Sequence, residues 1–291
     1  MSTYRSRAPA KVNLTLHVGG LREDGFHEIE SLMVPLSLAD EVEVAIGGSE
    51  DGIEVPGRPE LEGPDNLCLR AVAAFRRRVG PAPGVKIRLF KEIPVAAGLG
   101  GGSSDAAAVL RALARDRGMA LDDPRLQEAA LEVGSDVPFF LRAEPAVARG
   151  RGERLSPPPF LPEVLHLVLV HPPFGVSAGD AYRALAAERA GSIPPAPPPL
   201  EPMHDAVAVS RRLQNDLQAP ISARYPIRPL IDELLEAGAL GALMSGSGPT
   251  VFGVFEGEQA AERGARALRG RPDRRVWVVT AERSHATLVG P

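Results

Sequence analysis

Residues 94–107 read P-V-A-A-G-L-G-G-G-S-S-D-A-A, and this stretch limits what the rest of the chain can be. Its four glycines and two serines stand between a strand-like run at 85–90 and a helix-like run that begins near Ser104. Glycine lets the backbone turn tightly and lets a ligand come close to the amides. The following helix brings unpaired N–H groups and the positive end of its dipole to the loop. Such a loop is a ready site for phosphate. It is not a Walker A loop, because Ser103 and Ser104 stand where a lysine is needed. It is not a G-x-G-x-x-G fingerprint, because Ser103 takes the place of the third glycine. A serine-capped helix after a flexible turn is the plain alternative.

The chain is long for one core, and its 291 residues suit two domains. A net charge of -4 gives no reason to expect nucleic acid or anionic lipid as a partner. Lys11, Lys86 and Lys91 are the only lysines, which makes each easy to scrutinise. Cys68 is the single cysteine and falls in an apolar helical pattern, so it reads as core packing. No apolar run approaches the length of a membrane span, and the start has no signal-peptide pattern. A cytoplasmic protein is expected.

Val12, Leu14, Leu16 and Val18 alternate with polar residues over 8–18, which predicts a half-buried strand with Lys11 and Asn13 on its polar face. Asp24-Gly25 predicts a tight turn that projects Phe26 and His27 at a loop mouth. Residues 38–46 predict an edge-like strand. Asn66 offers a cap to a helix over 67–79, ended by Gly80 and Pro81. After the glycine loop a helix runs to about Gly118, and another, started at Pro124, runs to Val133. Asp136, in G-S-D-V-P-F-F, reads either as the cap of a short helical turn or as a functional carboxylate. Residues 149–153 read as a turn, and the prolines over 157–162 as a boundary between domains 1–158 and 159–291. The second half predicts a buried strand at 164–170, a helix from about Gly179 carrying Tyr182, and a proline-rich loop over 191–202. A helix over 230–235, a second glycine-serine loop ahead of a strand at 251–255, and a last strand at 276–279 follow. Strands and helices without strict alternation indicate an α+β class.

These motifs, in this order, resemble those of the GHMP kinase superfamily. The loop matches P-x-x-x-G-L-G-S-S in a longer form with an extra glycine pair. Residues 10–14 match A-K-[VI]-N-L, residues 24–27 match D-G-[YF]-H, and residues 134–140 match G-[AS]-D-[VI]-P-[FV]-F. Residues 241–253 match the third superfamily motif, and the resemblance extends over about residues 8–280. It implies a two-domain α+β fold, with an N-terminal domain like domain 2 of ribosomal protein S5 and a ferredoxin-like C-terminal domain. The active site would lie in the cleft between them. It implies ATP and Mg²⁺ as cofactors, and phosphoryl transfer to the 2-hydroxyl of a cytidine diphosphate-linked methylerythritol in isoprenoid precursor synthesis. Lys11 and Asp136 would be spatial neighbours and carry the chemistry. ATP would lie on Asn66, Lys91, Pro94, Val95, Ala96, Ala97, Gly98, Leu99, Gly100, Gly101, Gly102, Ser103 and Ser104. The acceptor would lie on Asn13, Phe26, His27 and Tyr182. Phe26 stands where a tyrosine can occur, and Ala178 replaces a threonine of P-x-x-x-V-S-T-x-x-x-Y. Metal ligands are not specified beyond Ser104 as a candidate. A monomer or weak homodimer is expected. A mevalonate- or homoserine-type kinase, and a non-catalytic nucleotide-binding homologue, are the rival readings.

Overall fold

The alternation of Val12, Leu14, Leu16 and Val18 produces strand β1, Ser2–Leu21, which pairs antiparallel with β2, His27–Gly48. The computed structural model describes residues 1–192, 194, 196–282 and 287–290, so positions 193 and 195 of the expected proline-rich loop lie outside the described residues. Over residues 8–16 β1 is buried on both faces rather than half-buried. Lys11, Asn13 and Thr15 are as buried as the apolar residues between them. Alternation marks one wet face only where nothing else covers it. Here the glycine loops lie on the polar face, with Gly100 and Gly246 both beside the Lys11 side chain.

β3 (Gly52–Glu54) and the helix α1 (Leu67–Arg78) follow, α1 capped by the Asn66 side chain, which accepts from the Cys68 N–H. Then come β4 (Gly84–Phe90), α2 (Gly101–Asp116), α3 (Pro124–Val133, capped by Asp123), α4 (Val137–Arg142), β5 (Ala146–Gly150) and β6 (Arg154–Ser156). The second half contributes β7 (Leu165–His171), α5 (Ala178–Arg189), α6 (Ala206–Ser210), β8 (Gln214–Asn215), α7 (Gln218–Ser222) and α8 (Ile227–Glu236). It ends with β9 (Gly241–Met244), β10 (Val251–Phe255), α9 (Glu258–Leu268), β11 (Arg275–Ala281) and β12 (Thr287–Val289).

The strand order along the main path is β12-β1-β2-β11-β7-β10-β9, with β3 and β4 branching from β2 at one end and β5 and β6 at the other. β2 is therefore no edge strand. Glu41 to Gly48 pair with β4, Ile29 to Met33 pair with β5, and Leu36 meets Ala281 of β11. The acidic residues that suggested a rim, Glu41 and Glu43, simply face away from the buried Val42 and Val44. α9 escaped the sequence reading because its buried stripe is Ala261, Gly264, Ala265 and Leu268, nearly all small. Gly264 is where the Phe255 ring packs.

α2 runs through the middle of the first half. From Ser104 to Ala114 it is buried on every side, against α1, α3, α4 and β1. A helix covered all round needs small side chains where neighbours come close, and Ala106, Ala107, Ala108, Ala112 and Ala114 supply them. Cys68 sits fully buried in the same core, a packing residue as its pattern suggested. A second cluster, with Leu14, Leu36, Ile93, Leu99 and Phe252, lies under the glycine loop and draws on both halves of the chain.

His171 ends β7 in the interior, its Nδ1 3.0 Å from Thr250 Oγ1, and it is the cross-strand neighbour of Arg275 on β11. Burial, and then the Arg275 charge, lower its pKa from the usual 6.5 to about 4. A base depressed in this way stays neutral when folded and takes up a proton on unfolding, so its contribution is full above pH 6.5 and is lost as pH falls towards 4. Denaturant titrations should show wild type losing roughly 1–3 kcal/mol more than His171→Asn between those limits. Parallel curves for the two proteins would mean that His171 titrates alike folded and unfolded.

Candidate active site

The glycine loop is held by its carbonyls. Ala96 O accepts from Val176 N–H, Ala97 O from Thr250 N–H, and Leu99 O from Lys11 N–H. Gly98 O accepts from the Ser245 hydroxyl at 2.9 Å, and Gly100 O from Ser104 N–H at 3.0 Å. With five successive carbonyls engaged, the amides of Gly98 to Gly102 make no backbone hydrogen bond among the described residues. They form a set of free donors at the start of α2. The helix begins three residues before the expected Ser104, and its cap is Gly100 rather than a serine. The reason is the left-handed backbone at Gly100, φ 71°, which turns the chain into the helix there.

Lys11 Nζ lies 3.6 Å from Asp136 Oδ2 and donates to Asn13 Oδ1 at 2.6 Å. Asp136 occupies the cap position of α4, but its side chain caps none of the amides there. Its carboxylate is left for Lys11. Tyr182 comes from α5, and burial, then the nearby Asp136 charge, push its phenol above the usual value, so it stays neutral. Its ring stacks on His27 at 5.6 Å between centroids, with 17° between planes. His27 Nδ1 lies 3.1 Å from Gly19 O. A carbonyl only accepts, so that nitrogen carries a hydrogen, and Nε2 is the acceptor of the neutral ring. The Phe26 ring is covered by the Arg151 guanidinium, 3.7 Å from the centroid.

Lys91 is held inside the protein by Asp40 and by Asp105, the latter at 2.8 Å. Burial alone would lower its pKa, but Asp105 and Asp40 reverse that and hold it above the usual lysine value. Burial, and then Asp40, push the Asp105 carboxyl well up against the pull of Lys91. Asn66 spends both ends of its amide locally, on Cys68 N–H and Leu61 O.

A cleft of about 1020 Å³ gathers these groups. Lys11, Asp136, Asn13, Phe26, His27 and Tyr182 line it, as do Asn66, Lys91, Pro94, Val95, Ala96, Ala97, Gly98, Gly100, Gly101, Gly102 and Ser103. Leu99 and Ser104 do not. Leu99 is core, and the Ser104 hydroxyl is buried without a partner. Among the described residues no three metal-ligating side chains converge. With Ser104 shut away from the cleft, these residues do not make a magnesium cage.

The family model described as GHMP kinases N terminal domain matches residues 66–144, and the GHMP kinases C terminal model matches residues 201–273. The 4-diphosphocytidyl-2-C-methyl-D-erythritol kinase of Anaeromyxobacter sp. (strain Fw109-5) is 52% identical over 281 residues, 94% of this chain and 90% of its own. This chain belongs to the GHMP kinase family. A solved 4-(cytidine 5'-diphospho)-2C-methyl-D-erythritol kinase resembles it with a TM-score of 0.78 at 38% identity, over 96% of this chain and 99% of that one. The homoserine kinase of Cytophaga hutchinsonii matches with a TM-score of 0.75 at 19% identity, over 99% and 97% of the two chains. That second likeness concerns the GHMP fold alone.

Three contributors to this GHMP kinase site lay outside the sequence reading of it. Arg151 lines the cleft from a turn that reads as structural, and its adjacency to two glycines was the available signal. Asp40, the partner of Lys91, is a buried acid in a strand otherwise read as an edge. Asn215 donates to Met244 O and Gly246 O and so shapes the second glycine loop, a contact that nothing in its local sequence announces.

A side chain at Gly98 would meet Ser245 O at 2.1 Å, and φ there is +76°. Gly118 has φ +63° with open space around it. Gly118→Ala should therefore show the backbone cost alone, of the order of 1–3 kcal/mol, with ATP-analogue affinity intact. Gly98→Ala should destabilise more and also lose affinity. Equal melting shifts and equal affinities in the two variants would contradict the packing of the second loop against the first.

Proposed function

We propose that this GHMP kinase transfers the γ-phosphoryl group of ATP to the 2-hydroxyl of 4-diphosphocytidyl-2-C-methyl-D-erythritol, a step of the non-mevalonate route to isoprenoid precursors. The observation that carries the reading is the Lys11–Asp136 pair, 3.6 Å apart, in one cleft with the amide cradle and the His27–Tyr182 stack. The named relatives support the acceptor. Residues 1–158 are taken as the nucleotide-binding domain and 159–291 as the second domain. A cytoplasmic location and a monomer or weak homodimer complete the proposal. No helix among the described residues is long and apolar enough to cross a membrane.

Phosphoryl transfer needs positioning and charge neutralisation more than covalent help from the protein. The free amides of Gly98 to Gly102 and the Ser103 hydroxyl receive the phosphate oxygens. Mg²⁺, if it enters with ATP, would supply charge neutralisation at the phosphates, and no side chain among the described residues is assigned to it. Asp136 takes the proton of the acceptor hydroxyl as its oxygen bonds to phosphorus and the bond to the β-phosphate oxygen breaks. Lys11 stabilises negative charge on the attacking oxygen and keeps Asp136 in place. A non-catalytic homologue would have no use for this pair. A mevalonate or homoserine kinase would have no use for an aromatic turn at residues 24–27.

ATP consumption measured against this acceptor, mevalonate and homoserine tests the assignment directly. Turnover should occur with the first alone, and preference for either of the others would overturn it. Asp136→Asn should keep nucleotide affinity and lose about 10²–10⁴-fold in rate. Lys11→Ala should also be slow, and the double variant little slower than the singles, since groups acting as a unit fail together. Losses that multiply would separate the two residues.

His27 allows a sharper test of the acceptor's base. Its Nε2 lone pair suits the amino donor of cytosine and opposes the carbonyl of uracil. The uridine analogue should be a poor substrate, and His27→Ala should narrow the gap by damaging the cytidine substrate. Tyr182→Ala should weaken both alike, by roughly 1–3 kcal/mol for lost stacking. Equal kcat/KM for the two analogues in wild type would rule out this pocket.

A further inference from the structure

Behind the Lys11–Asp136 pair runs a buried line of hydrogen bonds whose direction is forced. Thr15 O, a backbone carbonyl, only accepts, and the Ser31 hydroxyl lies 2.6 Å from it. A serine has one hydrogen to give, and it goes there. Ser31 Oγ, 2.7 Å from the Asn13 amide, must then accept, so Asn13 turns its NH₂ to Ser31. The Asn13 carbonyl oxygen is thereby aimed at Lys11 Nζ, 2.6 Å away. An ammonium only donates, so this is the one orientation of the amide that suits it. Lys11, Asn13, Thr15 and Ser31 are all no more than 4% exposed, and Ser31 is fully buried. Ser31 is sealed from solvent and lies outside the cleft lining, so water does not easily replace its hydroxyl. The Thr15 hydroxyl accepts from Leu32 N–H, which pins the far end of the line. The arrangement sits where the β1–β2 register shifts between Asn13 and Thr15.

We propose that Ser31 is a positioning residue for phosphoryl transfer: it sets which way the Asn13 amide faces and so holds the Lys11 ammonium at Asp136. It touches neither substrate. Without its hydroxyl the Asn13 NH₂ loses its buried acceptor, and the amide that meets Lys11 is no longer anchored at that end. Lys11 would lose a fixed acceptor and shift from Asp136. The inference rests on the catalytic reading of Lys11, and the experiment separates the two.

Single-turnover rates at saturating ATP and acceptor are compared for wild type, Ser31→Ala, Ser31→Thr, Ser31→Cys, Lys11→Met and Lys11→Met with Ser31→Ala. Removing the relay should slow Ser31→Ala by about tenfold or more, the scale of a hydrogen bond to a charged group, with ATP-analogue affinity nearly unchanged. Ser31→Thr keeps the hydroxyl and should restore the rate. The weakly donating thiol of Ser31→Cys should give an intermediate rate, which keeps the test open should Ser31→Ala fold poorly. In the Lys11→Met protein, Ser31→Ala should cost nothing further. A wild-type rate in Ser31→Ala or Ser31→Cys, or the same loss with and without Lys11, would overturn the proposal and leave Lys11 as the catalytic cation. A wild-type rate in Lys11→Met would overturn the reading of Lys11 and the relay with it.

Discussion

Five peptide carbonyls in a row, from Ala96 to Gly100, are each bonded by a donor, and four of those donors come from distant parts of the chain. A glycine-rich segment has much conformational freedom, and fixing one residue's backbone costs about 1–2 kcal/mol. The tertiary bonds offset that cost before any ligand arrives. They also decide direction. A peptide whose carbonyl is drawn into the protein points the N–H of the next residue the other way, and five such peptides orient the amides of Ala97 to Gly101 rather than leave a floppy turn. Donors fixed in advance where charge accumulates need no reorganisation during the reaction. Strand β1 and the loops at 176 and 245–250 are positioned for this purpose as much as for the core.

Charge is distributed by the same packing. Lys91 is locked between Asp40 and Asp105, and Asp40 also accepts from the Glu92 and Ile93 amides. This ties the exit of β4 to β2 and the first turn of α2 to both. A buried ion group of this sort is weak evidence of net stability but fixes geometry, because any other arrangement leaves a charge unpaired. Lys11 has a different setting. It has an amide acceptor on one side and a partly exposed carboxylate on the other. Two lysines beside the same loop thus differ in what surrounds them, and only Lys11 is proposed to meet a reacting hydroxyl.

The end of the cleft proposed to hold the acceptor's base draws on elements from both halves. His27 belongs to β2 and Tyr182 to α5, and their stack spans the cleft. Phe26 and Arg151 form a second pair nearby. Phe26 lacks the hydroxyl that a tyrosine would have there, and its ring face carries the Arg151 guanidinium as a cation–π contact.

Much of this was legible in the residues themselves. Local rules located α1 through Asn66, α3 through Asp123 and Pro124, β10, and the glycine loop, because caps, prolines and glycines act over a few residues and need no partner. Ordered motifs were enough to mark Lys11 and Asp136 as neighbours. Tertiary structure alone decided the rest. It made β2 the strand that joins the sheet, buried the polar face of β1, enclosed Ser104, and stacked His27 on Tyr182. It also turned Asn13 towards Lys11 by way of Ser31. The physical reason is common to all of these: whether a polar group faces water, a ligand or another buried group depends on what packs over it. That cover comes from residues too far along the chain for any local pattern to encode.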